Sequence, residues 1–344
     1  LMALLIEWLI SCYKTIELTS GNVQEGTIEI MPQHQNTKIL VTGATGYVGS
    51  HVVKYLNEKG YQTIGIDRNI TARDYITRQL PDTKFYETGH GNDSDILDSI
   101  FEDEKPDAVL HLSASSLVGP SVTDPHRYYD NNVGGTINLV NACKNSPVRI
   151  IIFSSSCSVY GNTKGSIGEN HKLNPRSNYA RTKYESEKVL KKFSNKFKYK
   201  YGILRYFNVA GASNSGKIGE IERSHGHLFK NLAIQSLKSK PVVNVYGKNY
   251  KTKDGTCIRD YIHVSDLAEI HIKLLKKIKK NKQSIILNCR YGKGYSVEEI
   301  VQIFKKIKKN VKILYSDRRK GDVAQIYSNT KKIGKYLNWK PKFD

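Results

Sequence analysis

The feature that most constrains this chain runs from Lys38 to Asp67. Lys38-Ile39-Leu40-Val41-Thr42 is a short, continuous apolar run, the pattern of a strand buried on both faces. Gly43-Ala44-Thr45-Gly46-Tyr47-Val48-Gly49 follows, then a helical pattern to Lys59 and Gly60, then a second apolar run, Thr63-Ile64-Gly65-Ile66, closed by Asp67. Strand, glycine-rich turn, helix, strand and acid in that order form a βαβ unit that binds a dinucleotide. Glycines let the backbone approach a pyrophosphate, and the helix N-terminus offers it free N–H groups and a positive dipole end. The spacing is GxxGxxG and not GxGxxG, yet the strand, the helix and the acid all fall where the unit needs them. The expected cofactor-binding set here is Gly43, Gly46, Tyr47, Val48, Gly49 and Asp67. The Asp67 carboxylate would take ribose hydroxyls and repel a 2′-phosphate, which favours NAD over NADP; the neighbouring Arg68 softens that preference.

The alternation continues. Short strands are expected near Lys84-Phe85-Tyr86, at Ala108 to Leu112, at Arg149 to Phe153 and at Tyr201 to Tyr206. Helices are expected around Asp93 to Phe101, from Pro125 to Ala142, and over Tyr179 to about Lys196. Repeated β–α units imply an α/β chain with a Rossmann-type doubly wound parallel sheet. Ligands then lie beyond the carboxyl ends of the strands, where the glycine turn, Ser154 to Ser156 and Asn208 converge. From about residue 211 the pattern loosens into glycine-rich and polar connections, as expected of a smaller C-terminal substrate-binding lobe. The expected division is residues 37–210, mainly NAD-binding, and residues 211–344, mainly substrate-binding, with the lobes interleaved. Residues 1–36 read as an extension outside the core. Leu1 to Ile10 is apolar but short, broken by Glu7 and without a basic leader, so it makes a poor signal peptide and is too short for a membrane span.

Composition narrows the partners. The net charge is +22, which taken alone would suit a nucleic-acid or anionic-membrane partner. The lysine runs, such as Lys276-Lys277-Ile278-Lys279-Lys280, fall on apparent helix exteriors, and no nucleic-acid-binding motif accompanies them. They read as solvated faces, so no nucleic-acid or membrane partner is expected. Five scattered cysteines with no CxxC pair give no metal site and no disulfide framework, and fit a reducing cytoplasm.

Tyr179 and Lys183 lie four apart in a helical stretch and so point the same way. A lysine ammonium beside a phenol favours the phenolate, which would make Tyr179 a general base. Alone, Tyr-x-x-x-Lys is as easily a surface tyrosine beside a solvated lysine. Longer stretches give it weight: Phe153-Ser154-Ser155-Ser156-Cys157-Ser158-Val159-Tyr160-Gly161, Leu204-Arg205-Tyr206-Phe207-Asn208-Val209-Ala210-Gly211, and Asp254-Gly255-Thr256-Cys257-Ile258-Arg259-Asp260-Tyr261. With these, residues 38–344 resemble the extended short-chain dehydrogenase/reductase family and, within it, the UDP-glucose 4-epimerase group.

That resemblance implies an isomerase that interconverts UDP-glucose and UDP-galactose. Tyr179 would be the base, Lys183 its activator and nicotinamide-ribose contact, and Ser156 the hydroxyl that holds the reacting sugar oxygen. Asn131 and Tyr206 would line the cofactor cleft. Asn208, Arg259, Arg319 and Asp322 would hold the nucleotide and its diphosphate, Tyr246 would lie beside the uracil, and Ile326 would line the sugar pocket. The 4-hydroxyl would be oxidised to a 4-keto sugar by tightly held NAD and reduced again from the other face. A homodimer is the family expectation. The chain departs from the family at Thr88-Gly89-His90-Gly91-Asn92-Asp93, near the adenine, and stops at Asp344 where relatives continue. Two alternatives are a UDP-N-acetylglucosamine 4-epimerase, since Ile326 is of intermediate size, and a 4,6-dehydratase, which Cys157 and Ser158 disfavour because it needs an acid pair there. A non-catalytic NAD-sensing protein is a third, of another class, though such a protein often loses the Tyr or the Lys.

Overall fold

Residues 36–89, 93–163, 166–221, 227–319, 322–327 and 331–343 are described by a computed structural model. The extension expected over residues 1–36 lies, apart from Asn36, outside them. The apolar runs become strands of one sheet: β1 (Lys38–Thr42), β2 (Gln62–Asp67), β3 (Thr83–Glu87), β4 (Ala108–His111), β5 (Ile150–Ser156) and β6 (Lys200–Tyr206). A further strand, β10 (Ile285–Cys289), joins them from much later in the chain. The order across the sheet is β3-β2-β1-β4-β5-β6-β10, and every pair is parallel. Strand order reverses between β1 and β4, which opens a crevice at their carboxyl ends.

Both faces of this sheet are covered. In β1, Ile39 and Val41 pack into one apolar cluster and Leu40 into another, because successive side chains of a strand point to opposite faces. All three are fully buried, and each contributes about 1.5–3 kcal/mol of hydrophobic stabilisation. The helices that cover the sheet are α1 (Tyr47–Glu58), α2 (Ser94–Glu104), α3 (Gly135–Ala142), α4 (Asn178–Phe197) and, later, α6 (Val264–Asn281).

The helical stretch expected from Pro125 to Ala142 is present but not uniform. A short helix, Pro125–Tyr129, passes into a π-helical turn at Asp130–Gly134 before α3 begins. Within that turn the buried Asn132 side chain bonds to the Ser115 carbonyl at 3.0 Å and the Thr182 hydroxyl at 2.9 Å. Its carbonyl takes hydroxyls from Thr136 and Ser186 at 2.6 and 3.1 Å. Those side chains occupy the carbonyl of the helical ladder, and π turns of this kind recur at functional sites.

The second layer of structure is built around β9 (Ile258–His263). It pairs with β7 (Asn208–Ala210), β11 (Gly294–Ser296) and β13 (Gln325–Ile326). Beside it β8 (Val242–Tyr246) pairs with β12 (Lys312–Ser316). Phe229 of α5 (Leu228–Ser236), Val245, Tyr261 and Phe304 of α7 (Val297–Ile307) form its core. Among the described residues no helix is long and apolar enough to cross a membrane.

Candidate active site

The glycine turn after β1 forms a cradle. Gly43 sits at φ +71°, and a Cβ there would lie 2.8 Å from the Ser113 amide nitrogen. A Cβ on Gly49 would lie 2.0 Å from the Gly43 carbonyl oxygen, so α1 can approach the turn only without a side chain there. The first turn of α1 has Gly46 as its N-cap, no side-chain cap and no acidic residue, which leaves its amides facing the crevice. The Tyr47 hydroxyl donates to the Gly211 carbonyl at 2.6 Å and ties α1 to the residue that follows Ala210. Asp67 ends β2, buried, and its carboxylate accepts from the Thr45 amide at 3.2 Å. Arg73 lies 3.6 Å from that carboxylate and donates to the Thr45 hydroxyl at 3.1 Å. With its amide oxygen turned toward the available donors, Asn131 accepts from Arg68 at 3.2 Å and from the Ser115 hydroxyl at 2.9 Å. Asp93 folds back to accept from Thr88 and the Gly89 amide at 2.8 Å each, while residues 90–92 of that departure lie outside the described set.

Ser156 is the last residue of β5 and Tyr206 the last of β6, and the register sets them side by side. Helix α4, capped by the Ser177 hydroxyl on the Ala180 amide, carries Tyr179 and Lys183 over the same strand ends. The Ser156 hydroxyl faces the Tyr179 phenol and favours its ionisation, but burial outweighs it and pushes the phenol up to about 12. This reverses the direction expected from the Tyr-x-x-x-Lys spacing. Lys183 is buried too, and burial lowers its ammonium to about 7 against the opposing pull of Glu187. Its Nζ donates to the Ser154 carbonyl at 2.6 Å and lies 4.8 Å from the centre of the Phe153 ring. In the polypeptide alone, removal of the phenolate from water outweighs its helix neighbours.

Behind this pair lies a buried ionic contact that no sequence pattern announced. Glu187, one turn beyond Lys183, takes two bonds from Arg205 of β6 at 2.9 and 2.7 Å and one from Ser155 at 2.6 Å. Arg205 also donates to Tyr160 at 2.8 Å. The Tyr206 hydroxyl meets His271 Nε2 at 2.6 Å. His271 Nδ1 lies 2.7 Å from the Leu267 carbonyl and must donate to it, so Nε2 accepts and Tyr206 donates. Burial pushes that histidine down to about 4.

The residues expected to hold the nucleotide sugar gather around β9. Ile326 pairs with Arg259, and Asn208 with Tyr261. Arg259 lies 3.7 Å from the Asp322 carboxylate. The Arg319 guanidinium stacks on the Tyr246 ring at 3.9 Å. Ile326 is buried in a cluster with Cys157 and Phe207, the neighbours of Ser156 and Tyr206, so the chemical end and the sugar end share a wall. Lys320 and Gly321 lie outside the described residues. Among the described residues no group of three or more His, Cys, Asp or Glu side chains could hold a metal ion.

The cradle fits a dinucleotide: Gly43 and Gly49 leave no room for side chains, the α1 amides are uncapped, and a buried carboxylate ends β2. Residues 39–289 match the model of the NAD dependent epimerase/dehydratase family. The chain belongs to that family. It is 39% identical over 310 residues to the UDP-glucose 4-epimerase of Lactobacillus helveticus, covering 89% of this chain and 93% of that one. Among solved structures it is similar to the UDP-glucose 4-epimerase of Bifidobacterium longum in complex with NAD+ and UDP, with a TM-score of 0.82 and 32% identity over 90% of this chain and 94% of that one. It is also similar to the UDP-Glc/GlcNAc 4-epimerase of Campylobacter jejuni, with a TM-score of 0.74 and 32% identity over 90% of this chain and 95% of that one.

Sequence reasoning gave no site role to Arg73, Asn132, Glu187 or His271, which the structure sets beside the expected site residues or their supports. Arg73 and Asn132 sit in local patterns of no distinctive spacing. Glu187 and His271 acquire a role only through partners on other elements.

Proposed function

We propose that this chain interconverts UDP-glucose and UDP-galactose through a 4-keto sugar. The observation that carries the reading is the convergence of Ser156, Tyr179, Lys183 and Tyr206 at the carboxyl ends of β5 and β6, against a glycine cradle and beside a cation-lined second layer. Gly43, Gly46, Tyr47, Val48, Gly49, Asp67 and Asn131 hold the cofactor, with Lys183 and Tyr206 near its reactive end. NAD, when bound, takes up and returns the hydrogen of sugar carbon 4. Tyr179 removes the 4-hydroxyl proton and gives it back, Ser156 holds the oxygen between them, and Lys183 fixes the Ser154 carbonyl beneath the pair. Arg259 and Asn208 hold the diphosphate, since a guanidinium gives two parallel donors to it. Arg319, Asp322 and Tyr246 hold the nucleoside. Anchoring at that distant end leaves the keto sugar free to turn over.

Residues 37–210 mainly serve the cofactor and residues 211–344 the nucleotide sugar, with β7 and β10 crossing between the two. The four described cysteines, all unbridged and buried, support a reducing cytoplasm, and we assign the chain a homodimeric state by its family. Light scattering on the purified chain measures that state. The wall formed by Ile326 leaves an N-acetyl group as a second candidate substituent, consistent with the Campylobacter jejuni relative. Incubation with UDP-galactose should yield UDP-glucose at equilibrium. A folded, NAD-loaded protein that leaves UDP-galactose unchanged sinks the reading, and the same assay with UDP-N-acetylgalactosamine measures the breadth of the pocket.

A further inference from the structure

We propose that Ser158 is a positioning residue for this reaction: it fixes Ser156 as a hydrogen-bond donor into the cleft and so obliges Tyr179 to take the sugar's proton directly. The inference rests on the function proposed above and assigns a task to a side chain outside the site residues named there.

The chain turns sharply after β5 into a 3-10 turn, Cys157–Tyr160, with Ser156 as its N-cap. Two groups of Ser158 fall on the Ser156 oxygen: the amide donates at 3.2 Å and the hydroxyl donates at 2.9 Å. A serine hydroxyl has two acceptor lone pairs and one proton. Ser158 fills both lone pairs, and only the proton of Ser156 remains to be placed. That proton is the one polar group Ser156 can offer to the phenol, or to a sugar oxygen that sits between the two once substrate is bound. Bonds accepted by a hydroxyl also polarise it and strengthen the bond that it gives.

A relay through Ser156 would need that oxygen to accept the proton of the sugar's 4-hydroxyl, and no lone pair is left for it. The balanced step is therefore direct. The sugar O–H breaks, the Tyr179 O–H forms, and Ser156 keeps its proton throughout. The titratable groups that act on Tyr179 are Tyr128 on the helix Pro125–Tyr129, Cys157 after β5 and Tyr206 at the end of β6, while Lys183 lies one turn along its own helix. Of these, Lys183 carries the cationic group, and it bonds to Ser154 and not to Ser158. Removal of the Ser158 hydroxyl thus leaves the charges around the phenol in place.

The experiment compares wild type, Ser158→Ala and Ser158→Thr on UDP-galactose across pH, with bound NAD and thermal unfolding measured for each. Ser158→Ala should lower kcat about three- to tenfold, the worth of one neutral hydrogen bond, with KM within about twofold. The acid limb of kcat should move to higher pH, because a weaker Ser156 donor leaves the phenolate less favoured. Ser158→Thr, which keeps the hydroxyl, should restore both. An acid limb unchanged in Ser158→Ala, a loss of NAD or of folding in that variant, or no recovery in Ser158→Thr overturns the proposal. A wild-type protein inactive on UDP-galactose overturns the function itself, and an active one with an indifferent Ser158→Ala overturns this inference alone.

Discussion

At the scale of single residues, two groups carry unusual ionisation. Burial drives the Tyr179 phenol up to about 12 and the Lys183 ammonium down to about 7, so both favour the neutral form in the polypeptide alone. Tyr179→Phe should therefore leave folding and NAD content intact while lowering turnover by about 10²- to 10⁴-fold, the usual worth of a positioned acid–base group. Conversion of UDP-galactose measures it, and a variant of near-normal rate would remove Tyr179 from its role. Lys183 gives a second outcome in stability. Its folded value lies below its ordinary one, so between about pH 7 and pH 10 the unfolded chain binds more protons at this site. Its contribution to stability should rise with pH across that window, and Lys183→Met should flatten the rise in urea unfolding midpoints.

At the scale of elements, the glycine turn is the tightest constraint. Gly49→Ala would set a methyl 2.0 Å from the Gly43 carbonyl oxygen, so α1 must shift away from β1. The expected cost is about 1–3 kcal/mol of overpacking, with a parallel loss of NAD affinity. Urea unfolding and cofactor titration measure the two separately. This element was legible in the sequence because all its information is local: an apolar run, three glycines at fixed spacing, a helix and an acid within thirty residues. Helix α4 was legible for the same reason. The direction of the Tyr179 shift was not, because burial depends on what β5, β6 and the Pro125–Tyr129 helix lay over the phenol. The Glu187–Arg205 pair escaped as well. Its partners sit on different elements, and nothing in the spacing of either marks a buried charge. The π turn at Asp130–Gly134 is a third case, since Ser115 and Thr182, which hold Asn132, lie far from it in sequence.

At the scale of the whole molecule, three of the buried histidines, His51, His263 and His271, shape the response to acid. Burial lowers His51 to about 4, His263 to about 3 and His271 to about 4, and each packs between elements. As pH falls below about 6.5 the unfolded chain takes up protons at these sites and the folded chain does not, so the stability they allow near neutrality is lost toward pH 4. The slope should approach about 1.4 kcal/mol per pH unit for each histidine. Urea unfolding at pH 7 and pH 5 measures it, and a flat response would show that these rings find solvent or partners when charged. The same long-range weave governs how the chain is made. Strand β10 closes the sheet against β6, yet it is translated after β7, β8 and β9. Until Cys289 has left the ribosome, the outer edge of β6 has no neighbour and offers open backbone groups to any other strand. A nascent chain halted before Ile285 is the species on which chaperone binding and aggregation should concentrate.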